Sequence, residues 1–268
     1  MLSQIKAAWT AGSENNISLI AAGIAHYALL ALVPALAALV LAYGVFADPE
    51  TVTKHIAALY ENLPPSASEL IGKQLRNVSE GAEGAQGLGL IASLAVALFG
   101  ARSAARALMT GLNIAFSAGE DRGLVRGNLV ALGLTLAAIV GLAAITALSA
   151  ALSIWLGTGG TLASLVLLAV SAAGGSALVY RYVPNKPEPS WEAIWPGAAL
   201  FAVGWLGATA AFAFYAANFG SYNATYGSLG AVIVLITWFY LSALILLLGA
   251  HLAANKERVK RDSAAKAS

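Results

Sequence analysis

Residues 226–261 read YGSLGAVIVLITWFYLSALILLLGAHLAANKERVKR. From Tyr226 through Ala254 there is no Asp, Glu, Lys or Arg; then Lys256, Glu257, Arg258, Lys260 and Arg261 follow within six positions. An apolar run of about 20 residues, rising about 1.5 Å per residue in a helix, matches a hydrocarbon core about 30 Å thick. The run 228–254 is therefore predicted to span a membrane as a helix. Its abrupt basic end marks the exit from lipid, and His251 stands at that change of solvent.

The rest of the chain agrees. Of its 268 residues, 59% are hydrophobic and 10% are charged, against about 25% charged in a soluble domain. Five more apolar runs lie at 17–46, 88–116, 124–155, 162–182 and 194–217. Backbone polar groups in lipid must pair within their own segment, so the runs are helices. The expected fold is an all-α polytopic membrane protein, a single membrane domain of six transmembrane helices. The first three runs exceed a perpendicular span, which predicts tilt, a kink or extension into water. There is no cysteine, hence no disulfide framework. The first apolar run is too long for a secretory signal peptide, whose core has about 7–15 residues.

Orientation follows from the cations. With the N-terminus in the cytoplasm, Lys6, Arg102, Arg106, Arg122, Arg126, Arg181, Lys186, Lys256, Arg258, Lys260, Arg261 and Lys266 lie inside, and only Lys54, Lys73 and Arg76 lie outside. This bias predicts cytoplasmic N- and C-termini. Trp9, Tyr180, Tyr182, Trp191 and Trp195 would mark the inner interface, and Trp155, Tyr222 and Tyr226 the outer one. The segment 47–87 is the one sizeable extracytoplasmic piece. Asp48-Pro49 and the capping box Ser66/Glu69 favour two short amphipathic helices broken at Pro64-Pro65; a plain solvated loop is the alternative. The basic tail 255–268 can anchor topology or meet anionic phospholipid head groups.

An ionisable group inside hydrocarbon costs several kcal/mol, roughly, and needs a reason. Arg102, Arg106 and Asn113 share one stripe of the second membrane helix. They line an inner vestibule for anionic or zwitterionic groups, or the two arginines snorkel to the interface. His26 and Tyr27 in the first helix are candidates for the same cavity. Pro34, on the face of Tyr27, should kink that helix. Gly204 with Ala208 and Gly207 with Ala211 give small-xxx-small spacing for close packing. Asn218, Tyr222 and Tyr226 form a polar turn that can gate an outer opening. His251 is an interfacial titratable group or a boundary marker.

Several chemistries are disfavoured. No run contains an Asp or Glu, so cation-coupled antiport lacks its usual relays. Ser228 and His251 share one helix, 23 residues or about 35 Å apart, and cannot form a catalytic pair. His26, His55 and His251 are scattered without metal-binding spacing. "IGKQ" at 71–74 is not a phosphate-binding loop. The expectation is therefore no enzyme, no metal, no cofactor and no nucleic acid, with membrane lipids as the partners.

Four stretches carry a family resemblance: AAGIAHYALLALVPALAAL at 21–39, ARSAARALMTGLNIAF at 101–116, YRYVPNKPEPSWEAIWPGA at 180–198, and residues 226–252 of the opening stretch. On these the chain resembles the YihY/BrkB membrane protein family, some of whose members carry the label ribonuclease BN. The resemblance spans essentially the whole chain. It implies a six-helix bacterial inner-membrane protein, a link to envelope integrity and serum resistance, and transport of lipids or other solutes. It implies no secure enzymatic activity, and the missing metal ligands speak against the nuclease label. Two positions depart from the family pattern: His251 where Glu is usual, and Ala31 where Ser is frequent. The expected function is transporter-like movement of a lipid or an amphiphilic, anionic solute. A non-transporting envelope scaffold acting through 47–87 is the alternative.

Overall fold

A computed structural model describes residues 2–46, 83–119, 123–186, 188–218 and 223–267. Seven helices and no strand occur among the described residues: α1 (Leu2–Glu14), α2 (Ile17–Phe46), α3 (Glu83–Ala115), α4 (Gly123–Leu156), α5 (Thr158–Tyr182), α6 (Trp191–Asn218) and α7 (Asn223–Ala267). Five of them are long and apolar enough to cross a membrane, six if α1 and the described part of α2 count as one bent span. The chain is thus an all-α polytopic membrane protein. The two amphipathic helices expected between Asp48 and Val78 lie outside the described residues.

Two features extend the sequence expectation. The first is α1, which precedes the first long apolar run. The chain leaves it through Asn16, in the left-handed region with φ 54°, a conformation Asn tolerates better than most side chains. The chain then turns by 73° into α2. Gly12 gives room at this elbow, because a Cβ there would stand 2.7 Å from Ile17 Cδ1. The second is α7, whose 45 residues amount to about 68 Å of helix. Its apolar part ends at Ala254, and the basic part continues as helix into water rather than as a loose tail.

Helices adjacent in sequence pack on each other from α2 to α7, and α7 returns to α2 and closes the ring. α3 also touches α7, and α1 lies on α7. Both termini therefore sit on one face, called here the terminal side. The buried core gathers toward it: Met109, Leu112 and Phe116 of α3, Ala131 of α4, Tyr180 of α5, Ile194 and Ala198 of α6, and Ala250 of α7. A second cluster joins Ile17 and Ala21 to Ala243 and Leu247. Along α4 and α5 large apolar side chains such as Leu136, Ile139, Val140, Val166 and Val170 are exposed, as a surface solvated by lipid tails requires.

The closest helix approach is not where the small-residue pattern placed it. A Cβ on Gly204 would stand 2.9 Å from Ile245 Cγ2, whereas Gly207 faces open space. The tightest contact is one and two turns nearer the terminal side, where the backbones of Gly197 and Gly249 touch. α2 continues as helix through position 34; the side chain of Pro34, and with it the predicted kink, lies outside the described residues.

Candidate functional site

The two membrane arginines lie between α3 and α4. Arg102 Nη2 donates to Asn128 Oδ1 at 2.7 Å. One turn later, Arg106 lies against Gly127, where an added Cβ would stand 3.6 Å from its Nη2. Both arginines are half-buried. Arg106 makes no hydrogen bond or ion pair with any described residue.

Position along the helices explains how the charges are tolerated. Arg102 lies 13 residues before the end of α3 at Ala115, or about 20 Å inside it. Asn128 is only five residues into α4, about 7.5 Å. The guanidinium therefore reaches along the cleft toward the terminal side, as a snorkelling arginine does. It remains sheltered between two helices while doing so. Asn128 and Gly127 were not singled out from sequence, although a polar "RGN" at 126–128 just inside an apolar run was a usable signal.

The other residues of the predicted stripe lie elsewhere. Asn113 is buried, 7% exposed, and its Oδ1 accepts the backbone N–H of Asn185 at 2.9 Å. It fixes the loop after α5 onto the end of α3. Asn185 Nδ2 and Lys186 Nζ reinforce the joint by donating to the carbonyls of Gly119 and Phe116, each at 3.0 Å. These bonds hold the segment just past α3 against the loop after α5. His26 and Tyr27 are both exposed on α2, with ring centroids 5.8 Å apart in an edge-on contact. Among the described residues no hydrogen bond or ring contact joins them to the arginines. Tyr222 and the side chains of Asn218 and Tyr226, the proposed outer gate, lie outside the described residues.

His251 is not at a water boundary. It is 2% exposed, held beneath the α1–α2 elbow. Its Nδ1 faces the Leu247 carbonyl at 2.9 Å and its Nε2 faces Asn15 Nδ2 at 3.2 Å. A carbonyl only accepts and an amide NH2 only donates, so these contacts describe a neutral ring with its proton on Nδ1. The histidine ties α1 to α7. Its partner is 236 residues away in sequence, which is why no local pattern disclosed it.

The terminal face carries a polar girdle. Arg181 pairs with Glu188 at 2.6 Å, donates to the Pro189 carbonyl at 2.6 Å and lies over the Trp191 ring, 4.7 Å from its centroid. Its Nε is buried without a partner among the described residues. Glu257, past Ala254 and outside the apolar run, accepts from Ser190 N and Ser190 Oγ at 2.9 and 2.8 Å and pairs with Arg261 at 2.8 Å. Burial alone would raise its pKa. The two Ser190 donors and Arg261 outweigh that and hold the carboxyl below its ordinary range. No group of three His, Asp or Glu among the described residues is placed to hold a metal ion. What the arrangement offers instead is a half-buried cation, Arg106, between α3 and α4, with no hydrogen bond or ion pair to another described residue.

The family model described as Virulence factor BrkB matches residues 8–268. The ribonuclease-like protein YfkH of Bacillus subtilis is 30% identical over 262 residues, covering 90% of each chain. A UPF0761 membrane protein of Alteromonas mediterranea is 27% identical over 252 residues, covering 90% of this chain and 83% of the relative. Another, from Haemophilus influenzae, is 24% identical over 258 residues, with 94% of each chain covered. No solved structure matches.

Proposed function

The chain belongs to the BrkB virulence-factor family, and from that premise we propose that it moves an anionic amphiphile through the α3–α4 cleft of a bacterial inner membrane, with both termini cytoplasmic. Arg106 carries this proposal. A guanidinium between membrane helices, without a partner among the described residues, has donors free for a carboxylate or phosphate, and its planar fork matches either. Arg102, held by Asn128, supplies a fixed second charge one turn away. The apolar walls of α3 and α4 would receive the acyl or other apolar part. The role is transport and not catalysis: the cleft offers neither a nucleophile–base pair nor metal ligands among the described residues. The name of YfkH describes that relative and supplies no catalytic group here.

The test is movement in proteoliposomes. Replacing Arg106 by Ala is expected to slow transfer of an anionic, head-group-labelled lipid about fivefold, the worth of roughly 1 kcal/mol for one cation near a head group. Replacing Arg102 as well is expected to slow it further. Transfer of a zwitterionic lipid should change less. Unchanged transfer of the anionic lipid at equal reconstitution would remove the arginines from the mechanism.

A further inference from the structure

A second cationic site lies on the other flank of α4. Residues 126 and 127 are adjacent in a helix and point about 100° apart, at 3.6 residues per turn. Gly127 faces the arginines of α3, so Arg126 faces away from them. It lines an open cavity of about 390 Å³ together with Arg181, Tyr182, Asn185, Lys186 and Glu188. We propose that this cavity binds a phosphate group, distinct from the transport cleft and independent of it, with the head group of an anionic phospholipid as the source the surroundings favour.

The charge balance is the first support. Three cations face a single carboxylate. Arg126 is exposed and has no partner among the described residues. Lys186 and Arg181 are held in place by carbonyls, Phe116 O and Pro189 O, so their positions are set without a ligand. The second support is the state of Arg181. Its charge is met by Glu188, whose side chain is 52% exposed, while its Nε is buried and has no partner among the described residues. A carboxylate so exposed is a loosely held counterion. A phosphate presents more acceptor oxygens than a carboxylate and can bridge Arg126 and Arg181 at once.

The location favours a lipid as the phosphate's source. Tyr182 lines the cavity and is exposed, as are Trp191 and Trp195 nearby on α6. Exposed Trp and Tyr at a helix end mark head-group depth. Basic pockets between membrane helices at that depth are where phospholipid head groups settle. Arg181 is itself stacked on Trp191 and lies 5.7 Å from the Tyr182 ring centroid, so the charges and the aromatic belt form one surface.

Two substitutions of opposite sign test this. The full-length chain, purified in mild detergent, is titrated with phosphatidylglycerol and with phosphatidylcholine, and bound lipid is counted by native mass spectrometry. Arg126→Gln is expected to weaken phosphatidylglycerol retention about fivefold, and Glu188→Gln to strengthen it by a similar factor; phosphatidylcholine should respond to neither. Lys6→Gln, exposed on α1 and outside both the cavity and the basic tail, serves as the control and should leave retention unchanged. Adding glycerol phosphate separates the sources. Retention that survives millimolar glycerol phosphate assigns the site to the lipid. Displacement that requires Arg126 assigns it to a soluble phosphate. Phosphatidylglycerol retention equal in the parent, Arg126→Gln and Glu188→Gln overturns the proposal. The opposite effects of Arg126→Gln and Glu188→Gln on retention should persist in an Arg106→Ala background, so failure of the transport cleft and failure of this site are told apart.

Discussion

Gly249→Ala is expected to cost about 2–6 kcal/mol of stability, the sum of an overpacked contact and an orphaned hydroxyl. A Cβ at position 249 would fall on the Tyr180 hydroxyl and stand 2.6 Å from the Gly197 carbonyl oxygen. Neither neighbour can retreat cheaply. The carbonyl is backbone of α6. Tyr180 is fully buried, and its hydroxyl donates to the Leu246 carbonyl at 2.7 Å. Gly197→Ala should act alike, since its Cβ would land on the Gly249 carbonyl oxygen. Against a total stability of about 5–15 kcal/mol, either change should remove much of the folded fraction. The measurement is the heat- or denaturant-resistant monodisperse fraction in detergent. Gly207→Ala and Gly175→Ala, both facing open space, are expected to match the parent. A Gly249→Ala chain as stable as the parent would show that α6 and α7 do not meet as described.

Asn113→Leu is expected to be the second large loss, about 1–3 kcal/mol. The substitution removes the acceptor of the Asn185 N–H and leaves that donor facing an apolar side chain. The consequence is loosening of the joint that Asn185 and Lys186 make with the end of α3. Transport per folded molecule should not change, because Asn113 is buried in the joint and does not line the cleft. Reduced resistance to heat with intact transfer is the expected pair of results. Normal stability with lost transfer would return Asn113 to the cavity that its helical spacing suggested.

The membrane helices were legible because one quantity, the thickness of hydrocarbon, sets the length of every apolar run. The run 17–46 coincides with α2. α1 was missed because 13 residues with Lys6 and Glu14 do not reach that length, and its position comes from the Asn15–His251 contact. The stripe Arg102–Arg106–Asn113 shows what periodicity can and cannot say. The three do share a face, but what lies opposite that face changes along the helix: Asn128 and Gly127 of α4 at the arginines, and the loop after Val183 at Asn113. Spacing identifies a face and not the neighbour it meets. The same holds for His251, a boundary residue by hydropathy and a buried joint by packing. Of the two α6 glycines read as packing residues, Gly204 meets Ile245 and Gly207 faces open space; which glycine carries the contact depended on the register with α7.

The central claim is that Arg106 occupies a wet cleft open to the terminal side and not a dry or lipid-filled gap. The chain contains no cysteine, so a single introduced thiol reports without background. Arg106→Cys should react with a membrane-impermeant anionic thiol reagent applied from the terminal side in everted vesicles. It should stay silent from the opposite side, and Leu136→Cys, on the exposed apolar surface of α4, should stay silent from both. A thiol at position 106 that no aqueous reagent reaches from either side would contradict the account.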